Sequence, residues 1–215
     1  LRVVDELEER YPDFDGLNLT FETREGILKH CSARNARALE AREPGGVGRR
    51  FIDHTQPSLE AQLCNLADEI AYNTHDIDDG VRSGLLGYEQ LLALPAFERF
   101  HRESLAAHPG LSGRRLLFEA LRRMLSAQVY DLIDTSAACL ADAAPCDADA
   151  ARLAGPLMCC SPAAIVASRE VKAFLRAGLY RHPRVVQTTQ AARQVVSDLF
   201  GAYSADSAQL PSNHA

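Results

Sequence analysis

The sequence predicts an all-α fold, and three observations carry that prediction. Helical periodicity recurs along the 215 residues, while no strand-like alternation persists. The 47% of hydrophobic residues rest on Leu, Ala, Val and Ile, because Trp is absent and aromatic residues make up 7%; such a composition favours helices. The stretch from Pro57 to Gly80 shows the asymmetry of a helix, Pro in the first turn and Gly at the end. The length suits one domain or at most two small ones.

Taken in order, an amphipathic pattern over Leu1–Arg10 predicts a first helix, and Tyr11-Pro-Asp-Phe-Asp-Gly16 has the chemistry of a turn. The chain opens on Leu1 in the middle of this pattern, without Met, so further residues upstream of the numbering are expected. Thr20 is placed to cap a second helix reaching about Cys31. Glu43-Pro-Gly-Gly-Val-Gly48 is a flexible loop; its glycines do not form a G-x-x-x-x-G-K-[ST] pattern. A long helix follows Pro57 and ends near Gly80. Shorter helical pieces span Tyr88–Ala107, and a strong helix runs from about Gly113 to Ala141. Residues 142–149 are a polar, Ala-rich connection. Ser161-Pro162 opens a helix to about Tyr180, His182-Pro183 separates it from a last helix ending near Tyr203, and residues 204–215 are expected to be a disordered tail.

Composition excludes some functions and leaves others open. A net charge of -6 argues against a surface built throughout to hold nucleic acid. Arginines gather at Arg34, Arg37, Arg42, Arg49 and Arg50, and again at Arg114, Arg115, Arg122 and Arg123; they read as solvated faces or as local basic patches. Arg122 and Arg123 are candidates either for phosphate contacts or for ion pairs. The six cysteines form no CxxC pair and read as reduced core thiols of a cytoplasmic protein. No apolar run reaches the roughly 18 residues of a membrane span, so no membrane partner is expected. His30 and His54 read as structural.

The helix after Pro57 carries the chemistry. Leu59, Leu63, Leu66, Ile70 and Ile77 make one apolar stripe that faces a core. Asp68, Tyr72 and Asp76 recur every four residues and form a second stripe roughly opposite the first. Small apolar residues, Ala61, Cys64, Ala67 and Ala71, flank it, and no Lys or Arg occurs between Arg50 and Arg82. A desolvated carboxylate needs a partner. The stripe therefore reads as carboxylates facing a cation or ligand, or as an acidic face balanced by arginines elsewhere.

Ala67-Asp-Glu-Ile-Ala-Tyr72 followed by His75-Asp-Ile-Asp-Asp-Gly80 resembles the last metal-binding helix of the deoxyguanosine triphosphate triphosphohydrolase-like proteins of the HD superfamily. Pro57-Ser-Leu-Glu-Ala-Gln62 fits the same family. So do Tyr11-Pro-Asp-Phe-x-Gly-Leu-Asn-Leu-Thr20, Glu25-Gly-Ile-Leu-Lys-His30 and Leu179-Tyr-Arg-His-Pro-Arg-Val185. The resemblance implies the C-terminal portion of an HD-type helical bundle. Residues 1–95 would end the catalytic domain, and residues 96–203 would form a helical region packed on it. It implies a divalent metal, Mg, Mn or a similar ion, with Asp68 as one ligand. A further His and a His-Asp doublet would come from upstream of residue 1, together with the residues that handle protons. His75-Asp76 is not that doublet, because its position matches the substrate-binding turn. Tyr72 would pack on the substrate sugar and Asp76 would bind its 3′-hydroxyl. Tyr180 and His182 fit the base pocket or helix-end packing equally.

The reaction so implied is hydrolysis of a dGTP-like deoxynucleoside triphosphate to deoxynucleoside and intact triphosphate, by a homo-oligomer that responds to nucleotide effectors at separate sites. Residues 1–215 alone, lacking the upstream ligands, are expected to be inactive. The alternative is a catalytically degenerate module that binds nucleotide or single-stranded nucleic acid. A phosphomonoesterase or phosphodiesterase of the same superfamily is a nearer rival.

Overall fold

A computed structural model describes residues 1–210 of the chain, and among them helices account for all regular structure except one isolated bridge between Glu9 and Gly16. The helices are α1 (Phe21–Ile27), α2 (Ala33–Arg42), α3 (Arg49–Asp53), α4 (Leu59–Arg82), α5 (Tyr88–Leu92), α6 (Pro95–Ala107), α7 (Gly113–Ala143), α8 (Ala148–Leu153), α9 (Pro162–Leu175) and α10 (Pro183–Ala205). The all-α expectation holds. None of the described helices is long and apolar enough to cross a membrane.

The chain divides into two compact units, residues 1–72 with 122–166, and residues 73–121 with 167–215. Helices α4, α7 and α9 each contribute residues to both units. In the first unit, the buried carboxylate of Glu25 accepts the Ser58 N–H at 3.1 Å and pairs with Arg152 at 3.4 Å. Gln62 is buried one turn into α4; its amide oxygen takes the Leu157 N–H at 2.9 Å while its amide nitrogen donates to the Pro57 carbonyl. Arg24 forks between Asp5 and Glu43, with N–O distances of 2.7–3.0 Å, and holds the Glu43 carboxyl below its ordinary range. In the second unit, Ile77, Leu86, Leu91, Phe97, Leu117 and Leu175 are among the buried apolar residues.

Several sequence expectations need correction. Residues 1–10 do not form one helix. A π-helical turn spans Val3–Leu7, and the backbone then extends at Glu8, because the returning loop gives the Gly16 and Leu17 N–H groups to the carbonyls of Glu8 and Val4. Gly16 makes this return, with φ at +73°, and a Cβ there would lie 2.8 Å from the Val4 oxygen. Gly16→Ala is therefore expected to cost about 2 kcal/mol, read as a lower urea midpoint. The second helix stops at Ile27 and not at Cys31, because Leu28 takes a γ-turn-like conformation and Arg50 captures its carbonyl at 2.5 Å. Helices α2, α3 and α8 were not foreseen; Ser32 and Asp147 cap α2 and α8.

The cysteines also depart from expectation. Ser136 accepts the Cys159 N–H at 3.0 Å and donates to its carbonyl, drawing the 157–161 loop onto α7, where the sulfurs of Cys139 and Cys159 meet. Cys64 and Cys146 are exposed and not core residues. In the tail, α10 continues to Ala205 and a 3-10 turn covers Ser207–Gln209; residues 211–215 lie outside the described residues.

Candidate functional site on α4

Helix α4 begins where Ser58 accepts the Ala61 N–H, and it runs unbroken for 24 residues to Arg82. Continuity matters because a helix rises about 1.5 Å per residue, which spaces Asp68, Tyr72 and Asp76 about 6 Å apart along one face. The apolar stripe is only partly core. Ile70 and Ile77 are buried, whereas Leu63 is exposed. Polar residues share the buried face, with Gln62, Asn73 and Thr74 all nearly inaccessible; the amide of Asn73 donates to Ser168 at 3.3 Å.

In the first unit, Asp68 pairs with the Lys29 ammonium at 3.0 Å. Both side chains are open to water, 52% for Asp68 and 40% for Lys29, so the pair contributes little stability, about 0–1 kcal/mol. The Tyr72 ring is 62% exposed. The structure thus supplies Asp68 with a cation that lies 39 residues earlier, on the segment after α1, and that no local pattern indicated. Ala67 and Cys64 beside it are exposed, so the small residues do not wall this face within the described residues.

In the second unit, Asp76 is half-buried and accepts a hydrogen bond from the Tyr180 hydroxyl. Tyr180 closes the π-helical turn Arg176–Tyr180 that continues α9. His182 serves as the N-cap of α10, its Nδ1 accepting the Arg184 N–H at 3.3 Å. Asp78 and Asp79 lie near Arg82 on the same helix, at 3.7 and 3.8 Å. The basic cluster around residue 50 is largely engaged: Arg42 pairs with Glu6, Arg49 with Asp53 and Glu40, and Arg50 donates to a carbonyl. Burial pushes the Arg50 guanidinium below its ordinary pKa.

Among the described residues, no three His, Cys, Asp or Glu side chains converge as a metal ion would require. Asp68 fits the part of a single hard oxygen ligand, since its carboxylate is exposed and paired with a solvated lysine. A cavity of about 950 Å³ in the first unit lies away from this face, against Arg24, His30 and Arg42.

Residues 158–215 match the phosphohydrolase-associated domain, which fits the all-helical architecture to an HD-type fold. Along its whole length the chain is similar to proteins named deoxyguanosinetriphosphate triphosphohydrolase-like. It is 53% identical to one from Bordetella pertussis over 214 residues, covering 100% of this chain and 54% of that relative. Against one from Thiobacillus denitrificans it is 51% identical over 214 residues, covering 100% and 56%. Against one from Nitrosomonas europaea it is 44% identical over 211 residues, covering 98% and 55%. The chain spans about half the length of the relatives it matches.

Proposed function

Because the chain belongs to the deoxyguanosinetriphosphate triphosphohydrolase-like proteins, we propose that the protein hydrolyses dGTP-like deoxynucleoside triphosphates to deoxynucleoside and intact triphosphate. The observation that carries this reading is helix α4, on which a solvated carboxylate and an exposed tyrosine ring in the first unit and a half-buried carboxylate in the second follow at four-residue intervals of the sequence. Tyr72 offers an apolar ring face to a deoxyribose, and Asp76 accepts a hydrogen bond from the sugar 3′-hydroxyl. A pocket closed tightly on that sugar leaves no room for a ribose 2′-hydroxyl. Asp68 is one ligand of a divalent ion, Mg or Mn; the remaining His and the His-Asp doublet come from outside residues 1–215. Bound there, the ion would supply charge neutralisation and an oriented water. The family reading extends to a homo-oligomer and to nucleotide effectors at separate sites.

The test is the product. The protein, produced at the length of its relatives, is incubated with each deoxynucleoside triphosphate and with GTP, in Mg or Mn, and followed by phosphorus NMR. Free triphosphate from deoxynucleotides, and little from GTP, is the expected result. Release of orthophosphate would place the protein with the phosphomonoesterases of the same superfamily, and hydrolysis of a phosphodiester to a monoester with its phosphodiesterases. Nucleotide or single-stranded nucleic acid bound without turnover would replace the hydrolase by a binding module.

A further inference from the structure

We infer that Tyr180 is the positioning residue of Asp76: its hydroxyl holds one carboxylate oxygen so that the other faces a ligand hydroxyl. This rests on the reading of Asp76 as the acceptor for the sugar 3′-hydroxyl. A free aspartate on a helix surface samples several rotamers, and ordering it costs free energy each time a ligand binds. The Tyr180 hydroxyl donates to Asp76 Oδ2. Oδ1 keeps its lone pairs for a second donor, since a carboxylate accepts about four hydrogen bonds.

The surrounding backbone is built to make this contact. Leu86 is buried, and its side chain is gripped between two glycines. A Cβ at Gly80, one turn beyond Asp76 on α4, would lie 2.7 Å from Leu86 Cγ; a Cβ at Gly178 would lie 2.7 Å from Leu86 Cδ2. Held on both sides, Leu86 cannot yield to both, so the two glycines set how closely the end of α4 and the turn carrying Tyr180 approach. That turn is itself unusual. The Arg181 N–H reaches back five residues to the Arg176 carbonyl at 3.2 Å, so the helix is widened by one residue just before Tyr180. Such π-turns are rare and recur at functional sites. Leu175 and Leu179 remain buried through the widening, which anchors the turn while Tyr180 stays half-exposed beside Asp76.

The experiment compares dGTP with 2′,3′-dideoxy-GTP as substrates of the protein at the length of its relatives, measuring free triphosphate for the wild type, Tyr180→Phe and Asp76→Ala. The wild type should prefer dGTP. Tyr180→Phe removes one hydrogen bond and should cut that preference about 5- to 10-fold, through KM for dGTP, with the dideoxy substrate and kcat unchanged. A merely structural role would instead weaken both substrates alike, and that result overturns the inference. Asp76→Ala should abolish the preference. If Asp76→Ala loses it while Tyr180→Phe keeps it in full, the sugar reading of Asp76 stands and the role of Tyr180 falls. If Asp76→Ala retains the preference, or the wild type shows none or no turnover, the reading beneath fails and takes the inference with it.

Discussion

Asp68→Ala is expected to lower triphosphate release from dGTP by about 10³-fold or more, because losing a ligand to an ion that stabilises developing phosphate charge removes several kcal/mol of transition-state stabilisation. Metal content, read by elemental analysis of the same preparations, should fall with it. The structure offers a sharp alternative, in which Asp68 does no more than pair with Lys29. That exposed pair is worth at most about 1 kcal/mol of stability, so under the alternative Asp68→Ala and Lys29→Ala would behave alike and leave turnover nearly intact. Asp76→Ala should differ from both. Its hydrogen bond to a neutral hydroxyl exists in the ground state and the transition state alike, so the loss of about 1.5–3 kcal/mol should appear mainly in KM. Tyr72→Phe should fall between the wild type and Asp76→Ala if the ring face matters more than its hydroxyl. Wild-type rates from Asp68→Ala at unchanged metal content would remove the hydrolytic reading and favour the binding module.

The largest stability effect is expected at Glu25, a residue with no part in the proposed chemistry. Its side chain is 1% exposed, and it bridges the Ser58 N–H at the start of α4 to Arg152 in α8. Glu25→Ala leaves the Arg152 guanidinium poorly solvated and without its buried partner; breaking such a pair costs about 3–5 kcal/mol. For a chain of this size that corresponds to a Tm lower by roughly 6–20 °C. Glu25→Gln keeps the shape and the Ser58 hydrogen bond, so it should lie between. The double variant with Arg152→Ala should recover part of the loss, because it removes a half-desolvated charge whose other ion pair, with Asp149 at 3.3 Å, lies at the exposed surface. A Tm within about 2 °C of wild type for Glu25→Ala would show that the pair does not hold the start of α4 in place.

Local patterns account for the parts of the fold that were foreseen. Ser161-Pro162, His182-Pro183 and the Pro57 region mark helix starts because capping and proline chemistry act within one turn. The short helices α3 and α8 escaped notice because five or six residues hold too little periodicity to distinguish them from loops. The N-terminal pattern misled because its apolar residues satisfy an α-helical period while the loop ending at Gly16 competes for the same carbonyls. That competition depends on contacts eight to thirteen residues apart.

The spacing of Asp68, Tyr72 and Asp76 was determined by the sequence alone, since a helix with a fixed rise and rotation places every fourth residue on one face whatever surrounds it. What those side chains meet was decided only by tertiary structure. Lys29 reaches Asp68 across 39 residues and Tyr180 reaches Asp76 across 104. Glu25 and Arg152 meet across 127 residues, and Cys139 meets Cys159 through a loop that Ser136 pins. Periodicity describes one helix and its own hydrogen bonds. The partner of a charged or hydroxyl group is set by where other segments pack, and at Tyr180 that packing turns on two glycines and one leucine whose joint contact no local pattern in the sequence reveals.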